Sequence, residues 1–138
     1  DISKYIHPPQ INSSDFNRFL KLYAKEILPD SIKILFEFGR FDVNSLSSEI
    51  KLTLFRAFQE TLTNIMRHSR AGKVRVSLFK KINKLHLVII DNGIGFNSAR
   101  ESIGINAIRH RVNILNGSFY IGNNPKSSGT KIEIILTL

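Results

Sequence analysis

Two apolar runs joined by one short polar turn constrain this chain most. Lys73 to Phe79 alternates Val74, Val76 and Leu78 with Lys73, Arg75 and Ser77, the period of a strand with one wet face. Leu85 to Ile90, LHLVII, is denser and reads as a central strand buried on both sides. The turn between them, Lys80 to Lys84, is too short for a crossover, so the two runs pair antiparallel. The fold must therefore be built on a sheet that contains this hairpin.

The flanking sequence supplies helices and further strands. Ser13-Ser14-Asp15 can cap a helix that runs to about Ile27, with Phe16, Phe19, Leu20, Tyr23 and Ile27 at helical spacing, and Pro29-Asp30 ends it. Ser31 to Phe38 alternates Ile32, Ile34, Phe36 and Phe38 as a half-buried strand. Ser47-Ser48-Glu49 offers caps for a long helix through Leu54 to His68 that closes around Ser69 to Gly72. Ile103 to Leu115 is a third helix, stopped by Asn116-Gly117, and Ser118 to Gly122 and Thr130 to Leu138 are the last strands. The order predicts an α+β fold: a two-layer α/β sandwich, with a mixed, mainly antiparallel sheet covered on one face by three helices. It is not a run of βαβ units, which disfavours a dinucleotide-binding fold.

At 138 residues the chain is large enough for one domain with its own core. No apolar run approaches the length of a membrane-spanning helix, and no signal peptide is present. Without cysteine there are no disulfides or thiolate metal sites. A chain that starts on Asp1 rather than Met reads as a piece of something longer. The net charge of +9 asks for an anionic partner, whether nucleotide phosphates, nucleic acid or an acidic protein. The basic residues are scattered and the Phe residues sit at apolar-periodic positions, which suits a core better than a base-stacking platform.

Three places could carry chemistry. On the long helix, Ile50, Leu54, Phe58, Thr61, Leu62 and Ile65 share one face, and Glu60, Asn64 and His68 form a second line along its border. Such a line can edge a cleft; a solvated helix edge gives the same pattern, so the helix alone does not decide. Asp91-Asn92-Gly93-Ile94-Gly95 begins as a hairpin signal. No strand returns after it, so it reads instead as a buried strand delivering an Asp into a loop where Gly93 and Gly95 let backbone approach a ligand. Ser102 to Arg111 places Gly104 before a helix start, with Arg109, His110 and Arg111 one to two turns on, a candidate phosphate site. Neither a zinc H-E-x-x-H, a G-x-x-x-x-G-K-[ST] loop nor a G-x-S-x-G elbow is present.

Taken together, these pieces resemble the ATP-binding fold shared by gyrase, Hsp90, histidine kinases and MutL, the Bergerat-type fold. Phe58 to His68, FQETLTNIMRH, resembles the N box of that superfamily; Asp91 to Phe96, DNGIGF, its first glycine box; and Gly104 with the following helix, the second. Gly129-Thr130 stands where the family has a Gly-Thr before its last strand. The Gln59-Glu60 pair, His68 four residues after Asn64 and the short link from Phe96 to Gly104 are most similar to short-lid sensor kinases of the NarX/DesK type.

The resemblance implies the catalytic domain of a bacterial sensor histidine kinase, over residues 12–138. It would bind ATP with Mg²⁺ and transfer the γ-phosphoryl to a histidine on a separate dimerisation domain. It implies that Asn64 coordinates Mg²⁺ and that Glu60 orients or deprotonates the accepting imidazole. Asp91 would accept the adenine amino group, with Thr130 supporting it through water. Gly93, Gly95, Gly104 and Ile105 would flank the nucleotide under a lid from about Asn97 to Ile103, with His68 near the phosphates. Residues 1–11, with His7-Pro8-Pro9, resemble the junction after the dimerisation helices, so they would be a linker or the tail of a preceding helix. Further implied are a homodimeric parent, a downstream response regulator, no nucleic-acid partner and a cytoplasmic place for this domain, whether or not the parent is membrane-anchored. Ala107, Ile108 and the absence of Pro near Ile135-Leu136-Thr137 depart from the family pattern, and no phosphoacceptor histidine motif occurs. Two other readings use the same observations: an anti-sigma-factor-type protein-serine kinase of this fold, and a basic nucleic-acid-binding or scaffold module.

Overall fold

The computed structural model describes residues 13–96 and 103–138; the expected linker (1–11) and most of the expected lid (97–102) lie outside them. In chain order the elements are α1 (Ser13–Ile27), β1 (Lys33–Phe38), a short 3₁₀ turn (Val43–Ser45), α2 (Ser48–Asn64), β2 (Lys73–Lys81), β3 (Lys84–Asp91), α3 (Ile103–Ile114), β4 (Ser118–Asn123) and β5 (Thr130–Thr137). Five strands form one sheet in the order β1-β2-β3-β5-β4. β1 and β2 are parallel, joined through α2, and every other pair is antiparallel. The expected α+β sandwich is the fold observed. No helix among the described residues is long and apolar enough to cross a membrane.

Strand alternation sets the layers. Val74, Val76 and Leu78 on β2, Leu85, Leu87 and Ile89 on β3, and Ile132, Ile134 and Leu136 on β5 are all buried. In register they form rows, such as Val76–Ile89–Ile132 and Leu78–Leu87–Ile134, that face the helices. Leu85 to Ile90 is central, as its density suggested, but it is not buried on both sides. His86, Val88 and Ile90 are only partly covered, because the helices lie on one face of the sheet alone.

α2 is held from both flanks. Ser47 caps it, its hydroxyl accepting from the Ile50 amide at 3.2 Å. The predicted apolar face is buried from Leu54 to Ile65, with Ile50 half-buried, and the buried arc extends to Thr53, Phe55 and Ala57 because α1 and α3 both pack on α2. Phe55 meets the rings of Phe19 at 5.0 Å and Tyr23 at 5.2 Å. Buried Thr61 satisfies its hydroxyl on the Ala57 carbonyl at 2.6 Å.

Regular α-helix stops at Asn64. The chain then widens into a π turn, Ile65–Ser69, which closes on Arg70 in the left-handed region at φ 55°. Such insertions recur at functional sites because they re-aim side chains. Here uniform α-helical spacing ends at Asn64.

Truncating the central ring tests this packing. Phe55→Ala should cost about 3–5 kcal/mol of stability, read from urea unfolding. A loss below about 1 kcal/mol would mean that Phe55 does not join α1 to α2 as described.

Candidate functional site

β3 carries a carboxylate where its neighbours carry aliphatic side chains. Asp91 follows Leu85, Leu87 and Ile89 on the helix-facing side and stands opposite Val74 in the register. It is 4% exposed. Its Oδ1 accepts from the Gly93 amide at 2.8 Å and, at a longer 3.4 Å, from the Thr130 amide. Oδ2 receives no hydrogen bond from the described residues. Burial pushes the Asp91 carboxyl above its ordinary range, and the Gly93 and Thr130 amides pull it only partly back. The result is a partly desolvated acceptor with one oxygen tied to backbone and one free.

Glycines bring the surrounding backbone to this group. Gly129 sits at φ 117°, and a Cβ there would run into the Asp91 carbonyl. That close approach lets the start of β5 deliver the Thr130 amide. The resemblance implied that Thr130 would support Asp91 through water; the contact present is from its backbone. Gly95 sits at φ 102°, where a Cβ would lie 2.9 Å from Asn123 Oδ1. That same oxygen accepts from the Phe96 amide at 3.0 Å. Gly93 is buried and donates directly to Asp91.

Asn92 has a different job from its neighbours. Its Oδ1 accepts from the Gly72 and Lys73 amides, both at 2.9 Å, and its own amide donates to the Lys73 carbonyl at 3.2 Å. It ties the end of β3 to the entry of β2. Sequence reasoning passed over both Asn92 and Asn123, because an asparagine next to glycine signals a turn and says nothing of which amide its side chain will take.

On α2, Glu60 and Asn64 are half-buried, at the border of the apolar face as the spacing predicted. α3 begins against this edge. A Cβ on Gly104 would strike the Glu60 carboxylate, so the helix start approaches α2 there only because residue 104 is glycine. Glu60 and Gly104 share a cleft of about 230 Å³ with Arg56, Gln59, Ala107, Ile108 and Arg111.

The remaining expectations divide. Ile105 is buried in the shared core rather than lining that cleft. Arg109 is drawn onto the Phe119 ring at 4.9 Å, so of the three basic residues on α3 only Arg111 reaches the cleft. The His68 side chain lies outside the described residues. The structure thus brings Asp91, Gly93, Gly95 and Thr130 into one group at the ends of β3 and β5, and Glu60 and Gly104 into another between α2 and α3, with Asn64 one turn beyond Glu60 on the same helix.

An α+β sandwich with a buried carboxylate at a strand end, glycine-built backbone around it and a helix start facing an acidic helix edge defines a nucleotide-binding class of site. The sequence pattern of the histidine kinase-, DNA gyrase B- and HSP90-like ATPases matches residues 49–138, and the chain belongs to that family.

Among its relatives, Sensor protein VraS of Staphylococcus aureus is 43% identical over 84 residues, which are 59% of this chain and 24% of that protein. Sensor protein VraS of Staphylococcus epidermidis is 38% identical over 106 residues, 75% of this chain and 29% of that protein. The chain therefore spans about a quarter of the length of these curated relatives. The fold is shared with the histidine kinase domain of the Erythrobacter litoralis EL346 blue-light activated histidine kinase, at a TM-score of 0.70 and 18% identity over 91% of this chain and 60% of that one. It is shared also with the mycobacterial sensor histidine kinase MprB, at 0.64 and 20% identity over 90% and 92%.

Two outcomes test this geometry. A raised Asp91 pKa means the fold prefers the protonated form. Its contribution to stability is present below the ordinary value of 3.8 and is lost as pH rises through the folded value. Asp91→Asn should therefore match wild type in the acid limit and become the more stable protein toward neutral pH, in urea titrations across pH; wild type remaining the more stable at neutral pH would contradict the burial cost on the ionised carboxylate. Gly129→Ala should cost about 2 kcal/mol or more. By contrast Gly72→Ala, whose Cβ meets nothing within 4 Å, should stay within about 0.5 kcal/mol.

Proposed function

We propose that this domain binds Mg-ATP and serves as the catalytic domain of a two-component sensor histidine kinase. Its γ-phosphoryl would pass to a histidine on a separate dimerisation domain and from there to a response regulator. The observation that carries this reading is the free Oδ2 of buried Asp91, an acceptor suited to an exocyclic adenine amine. Family membership and the sensor proteins among the relatives support the same assignment.

In this reading each residue does one task. Asp91 accepts the adenine amino proton, in a charge-assisted hydrogen bond worth about 1.5–3 kcal/mol. Gly93 and Gly95 keep side chains out of the base's way, and Gly104 opens α3 toward the phosphates. Asn64 offers one neutral oxygen to Mg²⁺. No group of three or more His, Cys, Asp and Glu that could cage a metal exists among the described residues. That donor set fits an ion which keeps most of its shell from water and phosphate, and which when bound offsets phosphate charge. Glu60 accepts the N–H of the incoming imidazole, so that the ring's other nitrogen faces the γ-phosphorus; the α2/α3 cleft is its route in. Positioning of this kind supplies most of the catalysis in phosphoryl transfer. Residues 1–11 are assigned as a linker or the tail of a preceding dimerisation helix, and residues 12–138 as the catalytic domain. His68 is assigned a place near the phosphates and no chemical step.

Titration with a fluorescent ATP analogue, with and without Mg²⁺, tests the binding half. Wild type should bind, more tightly with Mg²⁺, and Asp91→Asn should bind at least about tenfold more weakly; no binding by wild type at millimolar nucleotide would defeat the proposal. For the transfer half, Glu60→Gln should keep nucleotide affinity and lose phosphorylation of a supplied dimerisation domain. Unchanged transfer would remove Glu60 from the mechanism.

A further inference from the structure

The helices leave one face of the sheet uncovered among the described residues, and the strand register fixes what stands there. Leu35, Val88, Ile90, Tyr120 and Ile135 stand on it, with Leu35 53% and Tyr120 50% exposed, interleaved with Arg75, Ser77, Lys131 and Glu133. Toward one end Lys33 lies directly opposite Lys73. At the other, Lys81 lies directly opposite Lys84. Like charges directly opposite weaken a strand pair, so both ends carry a repulsion that the sheet does not need.

The carboxylates on this face do not answer it. Glu37 lies 3.6 Å from Arg75. Glu133 lies between His86 at 3.2 Å and Lys131 at 3.6 Å. No ion pair among the described residues reaches Lys33, Lys73, Lys81 or Lys84. Beside Lys33 and Lys73 the surface opens into a cleft of about 400 Å³, with Leu35 and Ile90 among its lining. Asp91, Asn92 and Asn124 line that cleft too, but the Asp91 side chain stands on the helix-facing side of the register, whereas Lys33 and Lys73 stand on the open side.

We propose that this open face docks an acidic protein surface, with carboxylates set to meet the lysine pairs at its two ends. Half-exposed Leu35 and Tyr120 suit a protein partner, and the uncompensated cations set its sign. A nucleic acid fits less well. Phe79 and Tyr120 are the Phe and Tyr rings on the face among the described residues, and Phe79 is already stacked on His86 at 4.8 Å. The inference rests on this face, which adjoins the Asp91 site at its Lys33–Lys73 end.

The test uses a synthetic amphipathic helical peptide of Glu and Leu as probe, followed by amide NMR of the whole chain. Shifts should concentrate at Leu35, Val88 and Ile90, fade with added salt, and weaken about tenfold or more in the Lys33→Glu/Lys73→Glu double variant. Lys73→Glu alone places opposite charges across the register. It should raise the melting temperature while lowering peptide affinity, which separates lost docking from lost folding. Shifts elsewhere on the domain, or affinity indifferent to both variants, would overturn the proposal. Tighter binding of an oligothymidine to the same residues would overturn it too, in favour of a nucleic-acid surface.

Discussion

The arrangement depends on keeping one carboxylate inside an apolar layer. Asp91 occupies a core-facing position at the end of β3, where the pleat would otherwise call for another aliphatic side chain. Burial there is unfavourable to the ionised group, and two backbone amides offset only part of that cost. Nearly every local feature follows from supplying those amides: the sharp exit through Gly93, the left-handed Gly129 pressed on the Asp91 carbonyl, and the Asn92 brace that fixes where β3 ends. Among the described residues Asp91 Oδ2 receives no hydrogen bond, and that is where a ligand can improve on the free protein.

The helix layer frames the rest. α2 is gripped by α1 through Phe19, Tyr23 and Phe55, and by α3 through the contact of Gly104 with Glu60. Its polar edge is therefore held at a fixed height over the sheet. The π turn after Asn64 gives the chain the slack to pass from this helix to β2, whose parallel pairing with β1 demands a crossover.

Much of this was legible in the residues because local periodicity and tertiary packing agree. β2 alternates in sequence and in burial alike, Ser47 caps α2 as its side chain allows, and Asn116-Gly117 ends α3 where expected. The failures have physical causes. LHLVII looks doubly buried because its density is high, yet whether a second layer covers it is decided by elements elsewhere in the chain. A shift from α to π hydrogen bonding leaves no compositional trace, so the end of regular helix at Asn64 could not be read from spacing. Likewise, the nearness of Arg109 to Phe119 on β4 is a tertiary fact. The roles of Glu60, Asn64 and Asp91 came from resemblance; the residues alone gave only a polar edge and an aspartate entering a loop.

The central claim is that Asp91 reads the exocyclic amine of adenine, and one comparison reaches it directly. Inosine triphosphate keeps the sugar and phosphates of ATP and replaces that amine with a carbonyl oxygen, which would face the Asp91 carboxylate as a second acceptor. Calorimetric titration of the wild-type domain with each nucleotide, in the same Mg²⁺ buffer, should show ATP binding about tenfold or more tightly than inosine triphosphate. Equal affinity for the two would contradict the account, whatever else the domain binds.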